Sequence, residues 1–405
     1  MASPRWLGTA QKTVDVQSVQ ITAYHALTTY KLTVNEKDVS VIGQGSVNAT
    51  AAALVAAWNA STEPEFEEVT ATQLTDTVIL TCDTAGVPFY VSRSVSGGTG
   101  TMGSITAVTV VTGPNFWSNA ENWEGNVPTT GDTPVIDGGA SILYDLDPTI
   151  DLAGMTIGPN FPASSEIGLP DLNPAGYAEY RQRRLLLDGA TNTTIQSVSR
   201  RIRIDFGGTA STVNVFSTGT AQGDGEAPLD IIAGHSSTVI RVNAGTVWVA
   251  GTVGDAATVG EVEVAGGSVR IGSGTTLTTL NQSGGAVELN CAVTAVTKTG
   301  GDLVRRGTGA ITTLRNRGGT VQDYGTGTIT TLHQGGEYDR AGLASLTITT
   351  GYLYVGSRTR DPSGTITWTN PVQLYETKLS GEPGGGDRVA YADFGWHRKL
   401  TVADI

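Results

Sequence analysis

The second half of the chain repeats a short pattern of apolar and polar positions. Successive turn glycines are spaced 15 to 22 residues apart, at Gly245, Gly267, Gly285, Gly301, Gly319, Gly336 and Gly351. The second residue after each glycine is apolar: Val247, Val269, Val287, Leu303, Val321, Tyr338 and Leu353. The third residue is chemically mixed, from Trp248 to Asp339. Because alternate side chains of a strand point to opposite faces, the uniform set is expected to point inward. The pattern predicts a parallel β-helix.

A second apolar column precedes the glycines, at Leu280, Val296, Leu314 and Leu332. Stacked rungs lie about 4.8 Å apart, which favours small and β-branched residues at inward positions and glycine at sharp corners. The segments FGGTASTVNVFSTG and APLDIIAGHSSTVIRVNAG are predicted to be less regular rungs of the same stack. We assign the solenoid to residues 133–370.

The first part of the chain has a different pattern, typical of a small α+β domain. Short alternating runs predict strands at 30–34, 78–82, 89–91 and 105–111. Between them, Val47, Ala51, Leu54, Val55 and Trp58 fall on one face of an Ala-rich helix over 47–60. Ser46 is a suitable N-cap for this helix, and Pro64 prevents its continuation. We assign residues 1–112 to this domain, as an anchoring or docking module.

Aromatic residues flank the predicted solenoid on both sides. The Gly-, Pro- and Asn-rich joint, residues 113–132, contains Trp117 and Trp123, which either cover the first rung or form a carbohydrate-stacking platform. The last segment, residues 371–405, has a Gly-rich linker followed by Tyr391, Phe394 and Trp396, as expected of a short C-terminal cap or docking segment. The predicted fold is therefore mainly β, with an α+β domain, a β-solenoid and a cap.

Composition and charge limit the classes of partner. The net charge of −13 and the pI of about 4.7 argue against nucleic-acid binding, which needs a basic surface. Two Arg clusters (Arg181, Arg183 and Arg184; Arg200, Arg201 and Arg203) are interpreted as partners of carboxylates or of another subunit rather than phosphate sites. Only two cysteines occur, so no disulfide framework is expected. We also expect no secretory signal, no membrane insertion, and synthesis in a host cytoplasm.

No motif indicates catalysis. Glycoside hydrolysis needs two carboxylates about 5 to 10 Å apart, and Asp302, Asp323, Glu337 and Asp339 are predicted to lie at outward positions. In an acidic chain, such residues are ordinarily a solvated face. The four histidines are scattered without metal-ligand spacing, and no phosphate-binding loop or nucleophile motif is present. We expect no enzyme activity, no catalytic residues, no cofactor and no metal.

Several segments resemble proteins of tailed phages and prophages. The run YKLTVNEKDVSV, the helix AALVAAWNAS and PEFEEVTATQLTDTVILTCDTAGVPFYVS resemble a small domain of phage virion proteins. The joint pattern W..A.NW.G..P..GD..VI resembles the start of β-solenoid regions in bacterial and phage surface proteins. IGLPDLNPAGYAEYRQRRLLLDG and TLTTLNQSGG look similar to proteins of phage and prophage genomes.

This resemblance implies a structural protein of the virion exterior, with head decoration or capsid cement as the first expectation. Partners would be other copies of the chain, with a trimer as the first expectation, and the major capsid protein or other virion proteins. Candidate contact residues are Trp6, Trp117, Trp123, Tyr391, Phe394 and Trp396. The alternatives are a tail fibre or tailspike that binds a host-surface glycan, with or without depolymerase activity, and a bacterial surface adhesin.

Overall fold

The computed structural model describes residues 2–148, 150–196, 200–219 and 227–375. The chain starts on the solenoid, with strand β1 (Arg5–Trp6). It then builds the N-terminal domain from β2 (Val16–Ala23), β3 (Thr29–Val34), β4 (Lys37–Ile42), α1 (Val47–Asn59), α2 (Pro64–Glu67), β5 (Val69–Leu74), β6 (Thr77–Cys82), β7 (Ser92–Ser96), β8 (Thr101–Met102) and β9 (Thr106–Thr109).

The N-terminal domain packs one helix against two antiparallel sheets. One sheet has the order β5-β6-β2-β8, with β9 also on β2, and the other has the order β4-β3-β7. Helix α1 begins as predicted, because the Ser46 side chain accepts a hydrogen bond from the Ala49 amide. It buries Ala51, Leu54 and Trp58 in the domain core.

The strand predicted at 89–91 is wrong, because this stretch is irregular and β7 begins at Ser92. Two side chains hold its backbone in place of a neighbouring strand. The Phe89 amide donates to the Asp15 carboxylate, and the Phe89 carbonyl accepts from the Gln17 side-chain amide. Side chains therefore satisfy the backbone groups that a strand ladder would otherwise satisfy.

The solenoid runs over residues 135–375 in about 12 turns, so its height is roughly 50 to 55 Å. After the 3₁₀ turn Ala120–Asn122 and β10 (Trp123–Glu124), its strands are β11 (Val135–Ile136), β12 (Gly154–Ile157), β13 (Glu166–Ile167), β14 (Leu185–Leu186), β15 (Asn192–Ile195), β16 (Arg201–Asp205), β17 (Thr212–Val215), β18 (Leu229–Ile232), β19 (Gly234–Val242), β20 (Thr246–Val249), β21 (Ala257–Val264), β22 (Ser268–Ile271), β23 (Thr275–Gln282), β24 (Ala286–Leu289), β25 (Val293–Lys298), β26 (Asp302–Arg305), β27 (Ile311–Asn316), β28 (Thr320–Asp323), β29 (Ile329–Gln334), β30 (Glu337–Arg340), β31 (Leu346–Tyr354), β32 (Arg358–Arg360), β33 (Ile366–Trp368) and β34 (Gln373–Tyr375).

Two parallel sheets form the walls of the solenoid. The first sheet stacks β11, β12 and the odd-numbered strands from β15 to β33, and β34 also pairs with β31. The second sheet stacks β13, β16, β18, β20 and the even-numbered strands to β32, with β14 on β16. Each rung thus crosses from one sheet to the other at a tight corner, where several glycines have positive φ.

The strand register confirms both apolar columns predicted from the glycine spacing. Val247, Val269, Val287, Leu303, Val321 and Tyr338 pair in succession along the second sheet, and all are buried. Leu280, Val296, Leu314 and Leu332 do the same in the first sheet.

The prediction for Gly351, the last glycine of the series, is wrong, because this residue does not lie at a corner. Gly351 is a strand residue of β31 opposite Leu332, and it is Thr359 that continues the column from Tyr338. The ring of Trp368 lies directly over Gly351, where a Cβ would come 2.3 Å from a ring carbon. This glycine therefore makes room for an aromatic ring of the last rungs rather than forming a corner.

Within the described ranges, no helix is both long and apolar enough to cross a membrane.

Candidate functional site

Three tryptophans close the first rung of the solenoid. The Trp6 and Trp123 rings meet edge to face at 5.0 Å, and Trp117 meets Trp123 at 4.8 Å. Trp6 donates to the Ala140 carbonyl, and Trp123 to the Trp117 carbonyl. All three belong to the solenoid core. This placement matches the first of the two predicted alternatives, in which Trp117 and Trp123 cover the first rung.

The same burial bears on the candidate contact residues. At 1% to 4% exposure, Trp6, Trp117 and Trp123 are core side chains rather than exposed contacts for a partner, because their surface is already used within the chain. The other three candidates, Tyr391, Phe394 and Trp396, lie outside the described residues, as does the Gly-rich linker before them.

A loop of the solenoid, residues 168–184, reaches the N-terminal domain and joins the two parts of the chain. Arg181 lies 3.6 Å from the Glu68 carboxylate and donates to the Pro88 carbonyl. The Tyr180 ring packs against the core of the N-terminal domain and meets Tyr90 edge to face. Asn35 donates to the Ala178 carbonyl. The junction is therefore built from several polar and aromatic contacts between distant parts of the sequence.

The Arg181 side chain is buried together with the carboxylate of Glu179. Its Nε donates to Glu179 at 2.8 Å, and a second nitrogen donates to the Tyr177 hydroxyl. Burial raises the pKa of Glu179, but the hydrogen bonds and charge of Arg181 outweigh it and hold that pKa below its usual value. Both groups remain charged at neutral pH, as a buried ion pair requires.

Five of the six clustered arginines pair with carboxylates, as interpreted, Arg181 with Glu179 among them, and Arg200 is exposed. Arg183 and Arg203 both bind Asp171, and Arg201 binds Glu166 at 2.6 Å. Arg184 binds Asp230 and Asp255. Burial is the largest influence on Asp230 and raises the pKa of its carboxyl group. These arginines tie the 168–184 loop and its neighbouring rungs together.

The solenoid interior carries a column of polar residues beside its glycine corners. Gln282, Lys298, Asn316 and Gln334 occupy stacked inward positions that are Val242 and Val264 in earlier rungs. Gln282 donates to the carbonyls of Gly284, Gly285 and Asp302. Lys298 donates to the carbonyls of Gly300 and Gly318 at 3.0 and 2.8 Å. The column thus supplies additional donors to the corner carbonyls, some of which, such as that of Gly285, also accept a backbone amide.

A second buried polar group lies in the opposite wall. Asp323 accepts from Arg305 at 3.0 Å and from Arg340 at 3.3 Å, and the Tyr338 hydroxyl also donates to it. All four side chains are essentially inaccessible. Burial and the adjacent Asp323 carboxylate raise the pKa of Tyr338 well above its ordinary value, so this hydroxyl remains a donor.

This network corrects the prediction that Asp323 faces outward. Asp323 is the fourth residue after its corner glycine, and even-numbered positions point inward in a strand. The remaining guanidinium groups reach loop carbonyls: Arg305 donates to Gly309, and Arg340 donates to Gly325. The charges therefore hold the loops that connect the two sheets.

The other predicted acids lie along the second sheet. Asp302 and Glu337 stack with Thr320 between them, and Asp339 lies in the outward column. Glu337 is 3.6 Å from Arg358 of the next rung. Among the described residues, no group of three or more His, Cys, Asp or Glu side chains is arranged to hold a metal ion.

The histidines and cysteines are dispersed through the structure. His25 and His235 each accept a hydrogen bond from the backbone amide two residues later. His333 stacks on Tyr352. His397 lies outside the described residues. Cys82 and Cys291 are free and buried in separate cores. Burial raises the pKa of Cys291 to about 12, so its thiol is protonated at neutral pH.

A shallow groove of about 280 Å³ runs along the outer face of the first sheet. Five stacked residues contribute to it: Asn214, Arg241, Glu263, Asn281 and Thr297. Arg241 and Glu263 form an ion pair at 2.9 Å and are each about two-fifths exposed. The groove therefore presents amide, hydroxyl and charged groups at the regular spacing of the rungs.

The polar columns were missed from the sequence, although a signal exists. A donor side chain stands two residues before a double glycine in QSGG, KTGG and NRGG, at Gln282, Lys298 and Asn316. The charged network appears at the fourth residue after the corner glycine, as Arg305, Asp323 and Arg340. Because Lys, Arg and Asp are rarely buried, the sequence alone predicts that these positions are exposed to solvent.

The fold and its internal networks define a parallel β-solenoid protein with an antiparallel N-terminal domain. No protein-family model matches the chain, and no curated protein is significantly similar to it in sequence.

Proposed function

We propose that this protein is a non-enzymatic structural component of the exterior of a tailed-phage virion, most simply a head decoration or cement protein. The N-terminal domain would dock on the major capsid protein or another virion protein. The solenoid would then lie over the particle or project from it. The chain would act as a homo-oligomer, with a trimer as the first expectation. The phage assignment itself depends on the sequence resemblance.

The observation that carries the mechanical role is the junction at the 168–184 loop. The buried Arg181–Glu179 pair, with the contacts to Glu68 and Pro88, fixes the N-terminal domain to a rod of about 12 turns. Force on one part would therefore be passed to the other without a hinge at this contact. A reinforcing or spacing protein needs this property.

The N-terminal domain also has a surface suited to docking. Among the described residues, strand β9 pairs with β2 alone, and Val108 and Val110 at this edge are 59% and 70% exposed. An open strand edge with exposed apolar side chains can be covered by another chain. We assign the attachment to the particle to this edge.

The proposal is tested on purified particles with the gene intact and deleted. Regular loss of density over the head lattice, with lower resistance to heat or low salt, is the expected result. Loss confined to the tail tip, together with failed adsorption, would contradict head decoration.

A matched pair of variants tests the docking edge. Val108→Lys with Val110→Lys should prevent incorporation into particles, because two charges would have to be buried at the contact. Val253→Lys is the control, since Val253 is 98% exposed on the solenoid and should leave incorporation unchanged. Equal incorporation of both variants would place the attachment elsewhere.

The second candidate function is that of a receptor-binding tail fibre or tailspike. The groove at Arg241, Glu263 and Asn281 favours it, because a row of amide, hydroxyl and charged groups suits an extended polar chain such as a surface polysaccharide. Host polysaccharide that binds the wild type but not an Asn281→Ala variant would support this candidate.

A further inference from the structure

The described part of the solenoid ends on an open rung. Strand β32 pairs with β30, and β33 and β34 pair with β31, but none of these three strands has a further neighbour among the described residues. The inward side chains Ile366, Trp368 and Leu374 are only partly buried, whereas the three residues they pair with in β31 are buried. An open rung with apolar inward residues needs a cover, as the first rung has in its tryptophan cluster.

The inward residues of the first sheet follow a fixed spacing. Each rung has three of them, the second three residues after the first and the third two residues after the second. The strand register aligns these triplets from rung to rung, and all their members are buried. The triplets are Val259, Val262 and Val264; Leu277, Leu280 and Gln282; Val293, Val296 and Lys298; Ile311, Leu314 and Asn316; Ile329, Leu332 and Gln334; and Ile348, Gly351 and Leu353.

The same spacing returns once in residues 376–405, outside the described part of the chain. Tyr391, Phe394 and Trp396 are three and then two residues apart. Val389 stands two residues before Tyr391, and a buried residue stands at this position in several described rungs. Examples are Ala257, Thr275 and Leu346. The run from Val389 to Trp396 therefore has the inward pattern of one more strand of the first sheet.

The spacing between the two sheets also continues. In every rung from β19 to β28, five residues separate the last inward residue of the first sheet from the first inward residue of the second. Leu379 lies five residues after Leu374, so it falls on the next inward position of the second sheet. The Gly-rich connection from Leu379 to Tyr391 covers twelve residues, and the connection between β20 and β21 covers the same distance, from Val247 to Val259.

We propose that residues 378–396 form one further rung that closes the solenoid, with Leu379 inward in the second sheet and Tyr391, Phe394 and Trp396 inward in the first. The three aromatic residues are then core side chains of a cap and not contacts for a partner. With both ends of the stack closed, copies of the chain associate through its sides.

The stacking that this register requires places large apolar groups on the open rung. Tyr391 lies over Trp368 and Trp396 lies over Leu374, because these are the first and third positions of the triplet. Residues 376–405 continue directly from β34 and exceed the 15 to 22 residues of one rung. A segment attached to the open end also meets it at a higher effective concentration than a second copy does.

Hydrogen exchange followed by mass spectrometry on the full chain tests the proposal without any substitution. The backbone amides of residues 388–396 are expected to exchange about a hundredfold or more slowly than in an unstructured chain, at a rate independent of protein concentration. Exchange at the unstructured rate would overturn the proposal. Protection that appears only as dimers form, measured by analytical ultracentrifugation, would also overturn it, because a second copy would then cover the end.

A matched pair of variants tests the register. Phe394→Lys places a charge at an inward position, so it should abolish the protection of residues 388–396 and reduce that of β33 and β34. Ala392→Lys is the control and should leave protection unchanged, because the equivalent residues of described rungs are exposed. These are Thr278, Thr312 and Thr330. Unchanged protection of β23 to β27 shows that each variant is folded, and equal protection of residues 388–396 in the two variants would overturn the register.

Discussion

At the scale of single residues, the solenoid interior changes from apolar to polar along its length. The inward column Val249, Ile271 and Leu289 continues as Arg305, Asp323 and Arg340. A buried ion pair seldom adds net stability over a well-packed apolar alternative, but loss of one partner leaves an uncompensated charge. The function of these charges is therefore to fix loop positions, and their removal one at a time is costly.

Asp323→Ala should lower the free energy of unfolding by about 3 to 5 kcal/mol, because Arg305 and Arg340 would be left buried without their shared carboxylate. Urea denaturation followed by circular dichroism measures the change. Asp339→Ala, on the outward column of the next strand, is the matched control and should change stability by less than about 0.5 kcal/mol. Equal effects of the two substitutions would show that Arg305 and Arg340 do not depend on a buried Asp323 carboxylate.

Because Lys298 is buried, we expect the free energy of unfolding to depend on pH in a particular range. Burial lowers its pKa to about 8, against 10.5 for the ordinary side chain. Between these values the unfolded chain binds more protons than the folded one, so stability rises with pH from about 8 to about 10.5. Below pH 8 both states are protonated and this contribution is constant.

The variant Lys298→Gln isolates this effect, because Gln occupies the same column at Gln282 and Gln334. The wild type should gain up to about 3 kcal/mol relative to the variant over that pH range. Denaturation midpoints at several pH values measure the difference. Parallel pH profiles for the two proteins would show that Lys298 does not titrate in this range.

At the scale of elements, the exposed ends of the stack need covering. Strand β1 pairs with β11 in parallel and with β10 in the antiparallel direction, so an irregular strand covers the first rung. The three-tryptophan cluster fills the space beneath it. A capped end removes the open edge through which stacked sheets could associate.

Trp6→Ala should destabilise the chain by about 3 to 5 kcal/mol, since it removes the edge-to-face contact with Trp123 and leaves a cavity at the first rung. It should also promote association, measured by analytical ultracentrifugation. Trp248→Ala is the matched control, because Trp248 lies on an outer face against Arg270. A Trp6→Ala protein that is as stable and as monodisperse as this control would show that the cap is dispensable.

At the scale of the whole molecule, the 168–184 loop makes the N-terminal domain and the solenoid one unit. Arg181→Ala should uncouple them, because Glu179 would lose its partner and the contacts with Glu68 and Pro88 would be lost. Differential scanning calorimetry should then show two transitions where the wild type shows one.

The control for this prediction is Arg241→Ala, whose ion pair with Glu263 lies on an exposed face and contributes little. Two transitions already present in the wild type would mean that the junction does not couple the parts. A single unchanged transition in Arg181→Ala would mean that Tyr180 and its neighbours suffice.

The repeat determined much of the fold directly. Apolar residues at a fixed distance from corner glycines define which face of each strand is inward, and a strand alternates strictly, so the columns through Val269 and Leu314 follow from sequence alone. The helix at 47–59 follows equally from its cap and its apolar face. These are local properties, in which neighbours in sequence decide the structure.

Only the tertiary structure decided how the polar residues are used. Whether Asp323 or Lys298 is buried depends on partners 17 to 20 residues away, which stacking places one rung apart. The junction at Tyr90 and Tyr180 joins residues from two parts of the chain. Burial of a charge and the packing of a junction depend on contacts distant in sequence, and no local pattern contains them.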